Sequence, residues 1–306
     1  MKAYKICLYA IFPCALIAMI LQSIAFLTKM DAGTNYFARG AALPVLAVCF
    51  ACCAVALGIA GAFLKRGKTG SAPGYKPQFP SLFCLPAAIG ALGTAINGII
   101  CRNVWIAVLF LCDAVFWALC ATRLVRKYAG MIAWVGFAAI AAPLYLLTTY
   151  YFDITVEMNA PVKVLLQFGM LAAMLWTTAE IRRLIGRFHP LLYPILASLM
   201  IAVGAVASVP VQVASHADAI PGQIYLAAVP VLFGMMLTAV FHLIPVIHNE
   251  FPAPESGESE ENAPESDKSE ENTAEPDESE ENTAENPEQE ISTVDNPSEN
   301  AGEDPK

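Results

Sequence analysis

Charged residues are scarce in this sequence, making up 15% of its 306 residues, whereas 57% are hydrophobic. Soluble domains contain about 25% charged and about 45–50% apolar residues, so the composition excludes an ordinary soluble enzyme. The charges that do occur are unevenly placed. Residues 250–306 contain 21 Asp and Glu against two Lys, whereas residues 1–249 contain six acids and 16 Lys and Arg. The formal net charge of −9 therefore combines a body of +10 with a tail of −19.

Motifs of known enzyme classes are lacking. There is no His-Glu-x-x-His and no Gly-x-Ser-x-Gly, and the Gly-Lys-Thr within the basic segment Lys65–Ser71 lacks the spacing and the preceding strand of a phosphate-binding loop. No pattern indicates catalytic residues, a metal site, another cofactor or a nucleic-acid partner. The nine cysteines lie within or beside apolar runs, where they serve as small hydrophobic residues rather than a disulfide framework.

Long apolar runs, in contrast, dominate the first 249 residues. Runs of about 18–25 uncharged residues are long enough to cross a bilayer core of about 30 Å. Because lipid offers the backbone no hydrogen-bond partners, such runs cross as helices. We therefore predict an all-α, polytopic transmembrane bundle of about eight helices in residues 1–249. The expected spans are roughly 6–28, 41–64, 81–101, 104–122, 130–150, 162–179, 191–213 and 222–247.

The first run has a second interpretation. Lys2 and Lys5 precede an apolar stretch that ends near Ser23-Ile24-Ala25, as in a cleaved signal peptide. The run is longer than the usual apolar region of about 7–15 residues, which favours a membrane span. Its removal would leave seven spans in the same orientation.

The distribution of Lys and Arg predicts the orientation. With the N-terminus inside, the inner segments hold twelve basic residues and the outer segments four, as the positive-inside rule expects. This arrangement predicts a multi-pass protein of the cell membrane with both termini in the cytoplasm. The twelve are Lys2, Lys5, Lys65, Arg66, Lys68, Lys76, Arg123, Arg126, Lys127, Arg182, Arg183 and Arg187, and the four are Lys29, Arg39, Arg102 and Lys163.

Aromatic residues lie at several predicted span ends. Trp105, Tyr150 and Tyr151 fall at outer ends, and Trp134 and Trp176 lie near inner ends. Amphipathic rings favour the headgroup zone, so we expect these five side chains at the membrane surface.

The tail, residues 250–306, repeats with a period of ten, and successive copies begin at Ser259, Ser269 and Ser279. The repeat has no apolar stripe to bury, its like charges repel, and its prolines interrupt helices. We predict a disordered acidic tail of low complexity that offers a site for basic protein partners or cations. It could also associate with the protein's own basic inner loops.

Asp113 is the most unusual residue of the body because it lies near the middle of the fourth predicted span. A charged residue there costs about 2.5–3.5 kcal/mol on insertion scales, so it must face the bundle interior or be neutral. It could be a coupling group for protons or cations, or a hydrogen-bonded Asp that locks two helices together. Asn97 is the nearest polar candidate. Counting from the short turn after span three places Asn97 about 7 Å deep and Asp113 about 16 Å deep, so we do not expect the two to pair directly. Gly90, Thr94 and Gly98 recur every four residues, a pattern that favours helix packing.

Three further features could contribute to a transport path. His242 could titrate near neutral pH or simply hydrogen-bond a neighbouring helix. Glu180 and Arg183 are spaced to pair at the end of the sixth span, and we interpret them as a solvated helix end. The late spans also contain prolines, which break helices at transporter sites but are common in other membrane helices too. These are Pro143, Pro210, Pro230 and Pro245.

The outer segment 150–163 is the most polar extracellular piece. Its Asp153 and Glu157 could attract a cation or a basic ligand, although an ordinary capped loop explains them equally simply. Together these features favour a small-solute or ion transporter with Asp113 as its coupling carboxylate. The alternatives are a membrane scaffold or regulatory subunit that presents the acidic tail, and an intramembrane enzyme, which would require titratable residues to converge.

Overall fold

A computed structural model describes residues 2–31, 36–66, 81–122, 124–216 and 223–248. The predicted acidic tail at 250–306 lies outside the described residues, as does most of the basic segment Lys65–Ser71. The described chain is helical apart from turns and one short antiparallel ribbon, β1 (Met30–Asp31) with β2 (Tyr36–Phe37). The helices are α1 (Ala3–Lys29), α2 (Ala42–Arg66), α3 (Leu85–Ile100, after a 3₁₀ turn Ser81–Cys84), α4 (Val104–Cys120), α5 (Leu124–Phe152), α6 (Pro161–Leu184), α7 (Leu192–Ala207), α8 (Val209–His216), α9 (Gln223–Leu226) and α10 (Ala228–His248).

Within the described residues, seven helical segments are long and apolar enough to cross a membrane. The eighth apolar helix, α4, has 17 residues and so measures about 26 Å, slightly less than a bilayer core of about 30 Å. The predicted all-α bundle of a multi-pass, membrane-embedded protein is confirmed. The seven are Ala3–Lys29, Ala42–Lys65, Leu82–Ile100, Lys127–Phe152, Pro161–Leu184, Leu192–Ser215 and Ile224–His248.

The start of α1 and the end of α10 lie at the same end of the bundle. The Tyr9 hydroxyl lies 2.5 Å from Nε2 of His248, and Nζ of Lys65 donates to the carbonyl oxygen of Val246 at 2.5 Å. These contacts join the start of α1, the end of α2 and the end of α10. We call this end the terminal face and the other end, which carries the β1–β2 ribbon and the α5–α6 loop, the opposite face.

Small residues set the close crossing of α3 and α10. A Cβ atom added at Gly90 would lie 2.4 Å from the carbonyl oxygen of Pro230, and one added at Gly234 would lie 2.2 Å from that of Pro86. Such distances are sterically impossible, so the crossing requires glycine on both helices. The packing role predicted for the small-residue face of α3 is confirmed.

Two threonines exchange hydrogen bonds across this crossing. The amide of Ala87 donates to Oγ1 of Thr238 at 3.0 Å, and that of Val231 donates to Oγ1 of Thr94 at 3.2 Å. Each hydroxyl therefore satisfies a first-turn amide of the other helix, which has no acceptor within its own helix. The paired contacts fix α3 and α10 in register.

Two of the four prolines singled out in the sequence follow breaks in helices. Ser208 separates α7 from α8 two residues before Pro210, and Ala227 separates α9 from α10 three residues before Pro230. A proline lacks the amide donor and its ring clashes with the carbonyl one turn earlier, so the helix is interrupted in the turn that precedes it. The other two prolines lie inside α5, which is kinked at Tyr128, and inside α10.

The aromatic residues divide into two groups. The side chains of Trp105, Trp134 and Tyr151 are exposed on the outside of the bundle, which is compatible with a place at the membrane surface. Trp176 and Tyr150 are fully buried, so the surface expectation was wrong for them. Tyr150 stacks on Tyr225 at a centroid distance of 5.0 Å and an interplanar angle of 11°, while Trp176 packs beside a polar cluster.

Candidate functional site

A cluster of polar side chains is buried inside the bundle near the terminal face. Four elements contribute to it: the turn before α3, and helices α6, α7 and α10. Glu180 and His242 have no exposed surface, and Tyr193, Cys84 and Arg183 are 2%, 2% and 8% exposed. We call these five residues the polar cluster. Glu180 lies four residues before the end of α6, or about 6 Å along the helix axis.

Glu180 is the hub of the polar cluster because both of its carboxylate oxygens have partners. Nε and Nη2 of Arg183 each lie 2.8 Å from Oε2. The Tyr193 hydroxyl donates to Oε1, and Nδ1 of His242 lies 2.9 Å from the same oxygen. The guanidinium balances the carboxylate charge, which is the condition for burying an ionised acid without a large penalty.

The partners of His242 indicate its protonation state. Its Nδ1 lies between the Glu180 carboxylate and the Tyr193 hydroxyl, the latter at 3.0 Å, and its Nε2 lies 3.7 Å from the Cys84 thiol. This arrangement suits a neutral imidazole that donates from Nδ1 to Glu180 and accepts at Nε2 from the thiol. With Arg183 balancing Glu180, the polar cluster is then neutral as a whole.

Helical spacing explains how α6 supplies its part of the polar cluster. Glu180 and Arg183 are three residues apart and so share one helix face, and Trp176 lies one turn earlier on that face. The Trp176 ring packs 5.1 Å from the Tyr193 ring and 5.9 Å from the His242 ring. Gly186, with φ +76°, turns the chain after α6 so that α7 returns beside it. Tyr193 thereby meets Glu180, thirteen residues earlier.

A depression of about 210 Å³ opens at the terminal face next to the polar cluster. Arg182, Arg187 and His189 line it with cationic or proton-donating groups, and Phe188 adds an aromatic wall. Tyr193 also lines it, so one tyrosine belongs to both the depression and the buried polar cluster. The exposed arginines contrast with Arg183, which is buried against Glu180.

Asp113 is fully buried in α4, as its position in the sequence predicted. Neither carboxyl oxygen has a hydrogen-bond partner among the described residues. The Trp117 indole, one turn along α4, is close enough to interact with the carboxyl group but misses hydrogen-bond geometry. Cys120, further along α4, lies within electrostatic range of both Asp113 and Glu180. Asp113 therefore lies on the side of α4 that faces the polar cluster, at greater depth.

The structure does not bring Asn97 together with Asp113. Asn97 is half-buried on α3, and no hydrogen bond joins the two side chains. Of the transport candidates, only His242 is in the polar cluster.

The interpretation of Glu180 and Arg183 as a solvated helix end was wrong. They do pair at the predicted spacing, but both side chains are buried. Tyr193 and Cys84 were not singled out at all. The available signal was that Glu180, Arg183 and the apolar Trp176 share one helix face, which is unusual for a face exposed to water.

At the opposite face, Asp153 organises the α5–α6 loop. Its Oδ1 accepts from the backbone amide and hydroxyl of Thr155 at 2.9 and 2.6 Å, and its Oδ2 accepts from the Tyr225 hydroxyl at 2.5 Å. Partial burial alone would raise the pKa of Asp153, but the hydrogen bonds from Thr155 and Tyr225 outweigh it and hold that pKa below its ordinary value. The buried Lys163 donates to the carbonyl oxygens of Asp153 and Val156 at 2.6 and 3.1 Å.

Glu157 has a single described partner, the Tyr36 hydroxyl, which donates to Oε2 at 2.5 Å. The hydrogen bond to the carboxylate raises the pKa of Tyr36 above its ordinary value. This contact ties the β1–β2 ribbon to the α5–α6 loop. Both predicted outer-loop candidates are thus engaged in holding the opposite face together.

No protein-family model, curated protein or solved structure matches the chain. Among the described residues, no three His, Cys, Asp or Glu side chains converge as a group that could hold a metal ion. The polar cluster is therefore interpreted from its own chemistry. It is a buried site in which acid, imidazole, phenol and thiol groups are linked by hydrogen bonds.

Proposed function

We propose that the protein is a proton-coupled transporter of a small solute or ion, with Glu180, Tyr193 and His242 as its proton-binding site. The observation that carries this proposal is the fully buried contact between Glu180 of α6 and His242 of α10. Ionisable residues within membrane spans are rare, and they concentrate on ion pathways and proton relays. In the proposed orientation, with the terminal face in the cytoplasm, this site lies near the cytoplasmic end of the bundle.

Stability alone is a poor explanation for the polar cluster. A buried ion pair is often no more stabilising than apolar side chains of similar volume, and replacing it can gain about 1–4 kcal/mol. Helix packing in this bundle is already provided by small residues and threonine hydrogen bonds at the α3–α10 crossing. A buried group of ionisable side chains that adds little stability is better explained by function.

Charge balance suggests how proton binding drives a structural change. A proton added at Nε2 of His242 breaks the contact with Cys84 and gives the polar cluster a net positive charge. Uncompensated charge in a low-dielectric environment is unfavourable, so α6, α7 and α10 are driven to rearrange. The helix breaks at Ser208 and Ala227 supply hinges on the α7–α8 and α9–α10 segments, as in transporters with discontinuous helices.

Asp113 is proposed as the second proton site on the same path. It has no hydrogen-bond partner among the described residues, which suits a carboxyl group that is neutral in this state and accepts charge in another. Its depth, seven residues or about 10 Å from the end of α4, places it closer to the membrane centre than Glu180. A proton could thus pass between a site near the terminal face and a site further in.

The test measures proton binding directly, since the solute is unidentified. Full-length protein is reconstituted on a solid-supported membrane, and pH jumps around neutrality are applied while the displaced charge is recorded. We expect a transient current from the wild type that falls to the protein-free level in Glu180→Gln and in His242→Gln. Asp153→Asn, which removes a carboxylate at the opposite face, should keep the full current.

Two results would overturn the proposal. One is an unchanged current in both variants when each elutes as a monodisperse, folded protein. The other is a current that is lost only in Asp113→Asn, which would place the proton site on α4 instead of in the polar cluster.

A second candidate function is an intramembrane thiol enzyme, favoured by the order Cys84–His242–Glu180. The thiol faces one imidazole nitrogen and the carboxylate faces the other, which is the relation between a nucleophile, its base and the group that orients the base. Cys84 is only 2% exposed, which argues against ready substrate access. Labelling of the membrane-embedded protein with a thiol-reactive acyl probe, lost in Cys84→Ser and in His242→Gln, would support this candidate over the transporter.

A further inference from the structure

We propose that the depression at the terminal face is a binding site for a phosphate group. Its defining residues are Arg182, Arg187 and His189, which converge from the end of α6 and the turn that leads into α7. The proposal does not depend on proton transport, because it rests on a different set of side chains.

The turn after α6 places the two arginines together. The backbone amide of Arg187 donates to the carbonyl oxygen of Arg182 at 2.8 Å, which closes the turn around Gly186. Both side chains then line the same depression. Guanidinium groups bind phosphate oxygens through paired, charge-assisted hydrogen bonds, so two of them in one depression suit a phosphate better than a single carboxylate.

His189 adds a donor with a defined direction. Its Nδ1 accepts a hydrogen bond from the backbone amide of Leu192 at 3.2 Å. The ring proton of the neutral form therefore belongs on Nε2, the nitrogen left for a ligand.

The cationic charge of the depression is not neutralised by the described protein. The acid nearest to it in sequence, Glu180, is already paired with Arg183 at 2.8 Å and is buried. Neither Arg182 nor Arg187 forms an ion pair with any residue that the structure describes, and no carboxylate lines the depression. Two guanidinium groups without a carboxylate partner in one depression attract an anion.

The shape of the depression limits the class of ligand that it can bind. The depression is shallow, and its volume of about 210 Å³ includes space that is open to solvent. It therefore suits the exposed phosphate of a larger molecule rather than an enclosed ligand. Such a phosphate comes either from the headgroup of an anionic membrane lipid or from a soluble phosphate ester, since the depression lies where the bundle ends.

The experiment compares two phosphate sources with the full-length protein in nanodiscs. In the first arm the nanodiscs contain phosphatidic acid in phosphatidylcholine, and native mass spectrometry counts the lipid retained. In the second arm phosphatidylcholine nanodiscs are titrated with inorganic phosphate by calorimetry. The test variant is Arg182→Gln/Arg187→Gln, and the matched control is Lys29→Gln/Arg39→Gln, which removes the same charge from exposed positions at the opposite face.

We expect at least one source to bind, and binding to weaken by at least about tenfold in the test variant and less than about twofold in the control. Retention of phosphatidic acid alone identifies a lipid headgroup as the source, and inorganic phosphate binding identifies a soluble one. Because the substituted arginines are exposed, the variant should fold normally. Binding that is equal in the test and control variants, or absent from both arms, would overturn the proposal.

Discussion

Polar networks occur at both ends of the bundle, yet they are built differently. At the terminal face, four titratable side chains from three helices bond mainly to one another, with Glu180 as the hub. At the opposite face, Lys163 bonds to two backbone carbonyls of the α5–α6 loop, and Asp153 bonds to Thr155 of the same loop and to the Tyr225 hydroxyl. The first network is buried, while the second is partly open to solvent. The first network therefore links charged and polar side chains of three helices, whereas the second holds the conformation of a loop.

Removing one charge of the terminal-face network should have the largest effect. Arg183→Met leaves the Glu180 carboxylate buried without its cation, a change that typically destabilises a protein by about 3–5 kcal/mol. The double variant Glu180→Gln/Arg183→Met removes both charges and should recover most of that loss. Thermal unfolding of the purified variants in detergent measures both. Equal stability of the single and double variants would show that the pair carries no net buried charge.

The crossing that holds His242 against Cys84 should be the next most sensitive position. Gly234→Ala places a Cβ atom 2.2 Å from the carbonyl oxygen of Pro86, so α3 and α10 must separate. Overpacking of this kind costs about 1–3 kcal/mol. Gly130→Ala is the control, because a Cβ atom there meets nothing within 4 Å. The same unfolding assay distinguishes them: Gly130→Ala should be neutral or stabilising, because alanine favours a helix over glycine. Equal stability of the two variants would contradict the predicted overpacking.

A smaller, pH-dependent effect is expected from Asp153. Its folded-state pKa is lowered, so the ionised form stabilises the loop above the ordinary carboxyl pKa of about 4, and this contribution disappears as the pH falls through the lower folded value. Asp153→Asn should therefore destabilise the loop by less than about 1 kcal/mol at pH 7, and the variants should converge in acid. Hydrogen–deuterium exchange of the segment 153–160 measures this. A difference that grew in acid would contradict the assignment.

The smallest effect should come from the exposed contact between Tyr36 and Glu157. Tyr36→Phe removes one hydrogen bond at the surface and should leave unfolding at neutral pH unchanged. Because the pKa of Tyr36 is raised, the contact persists to alkaline pH and is lost only as the tyrosine ionises. Ultraviolet titration of tyrosine ionisation checks this, with Glu157→Gln expected to lower the ionisation midpoint. An unchanged midpoint would show that the two side chains do not interact in solution.

Hydropathy predicted the helices well because membrane insertion depends on the length of an apolar run, which is a local property. The small-residue face around Gly90 was also predictable, since spacing alone shows where two helices can approach. The spacing of small residues did not specify which helix packs against that face. It is α10 that packs on Gly90, and a neighbour so distant in sequence leaves no local signal.

The errors concern which way a side chain faces. Trp176, Glu180 and Arg183 were assigned to a membrane surface because they lie near the end of a run, and they do lie near the end of α6. Their helix face turns toward α7 and α10, so the side chains are buried. Asp113 shows the complementary case, since counting along the helices predicted both its burial and its separation from Asn97.

The sequence by itself determined that this is a multi-pass helical membrane protein, because apolar run length and the scarcity of charge depend only on the order of residues. It also located Asp113 and His242 within the spans. Only the tertiary structure decided that His242 meets Glu180, Tyr193 and Cys84, which come from separate elements up to 158 residues apart. The depth of a residue follows from counting along one helix. Its partners depend on how several helices rotate about their axes and pack together, which the order of residues does not show.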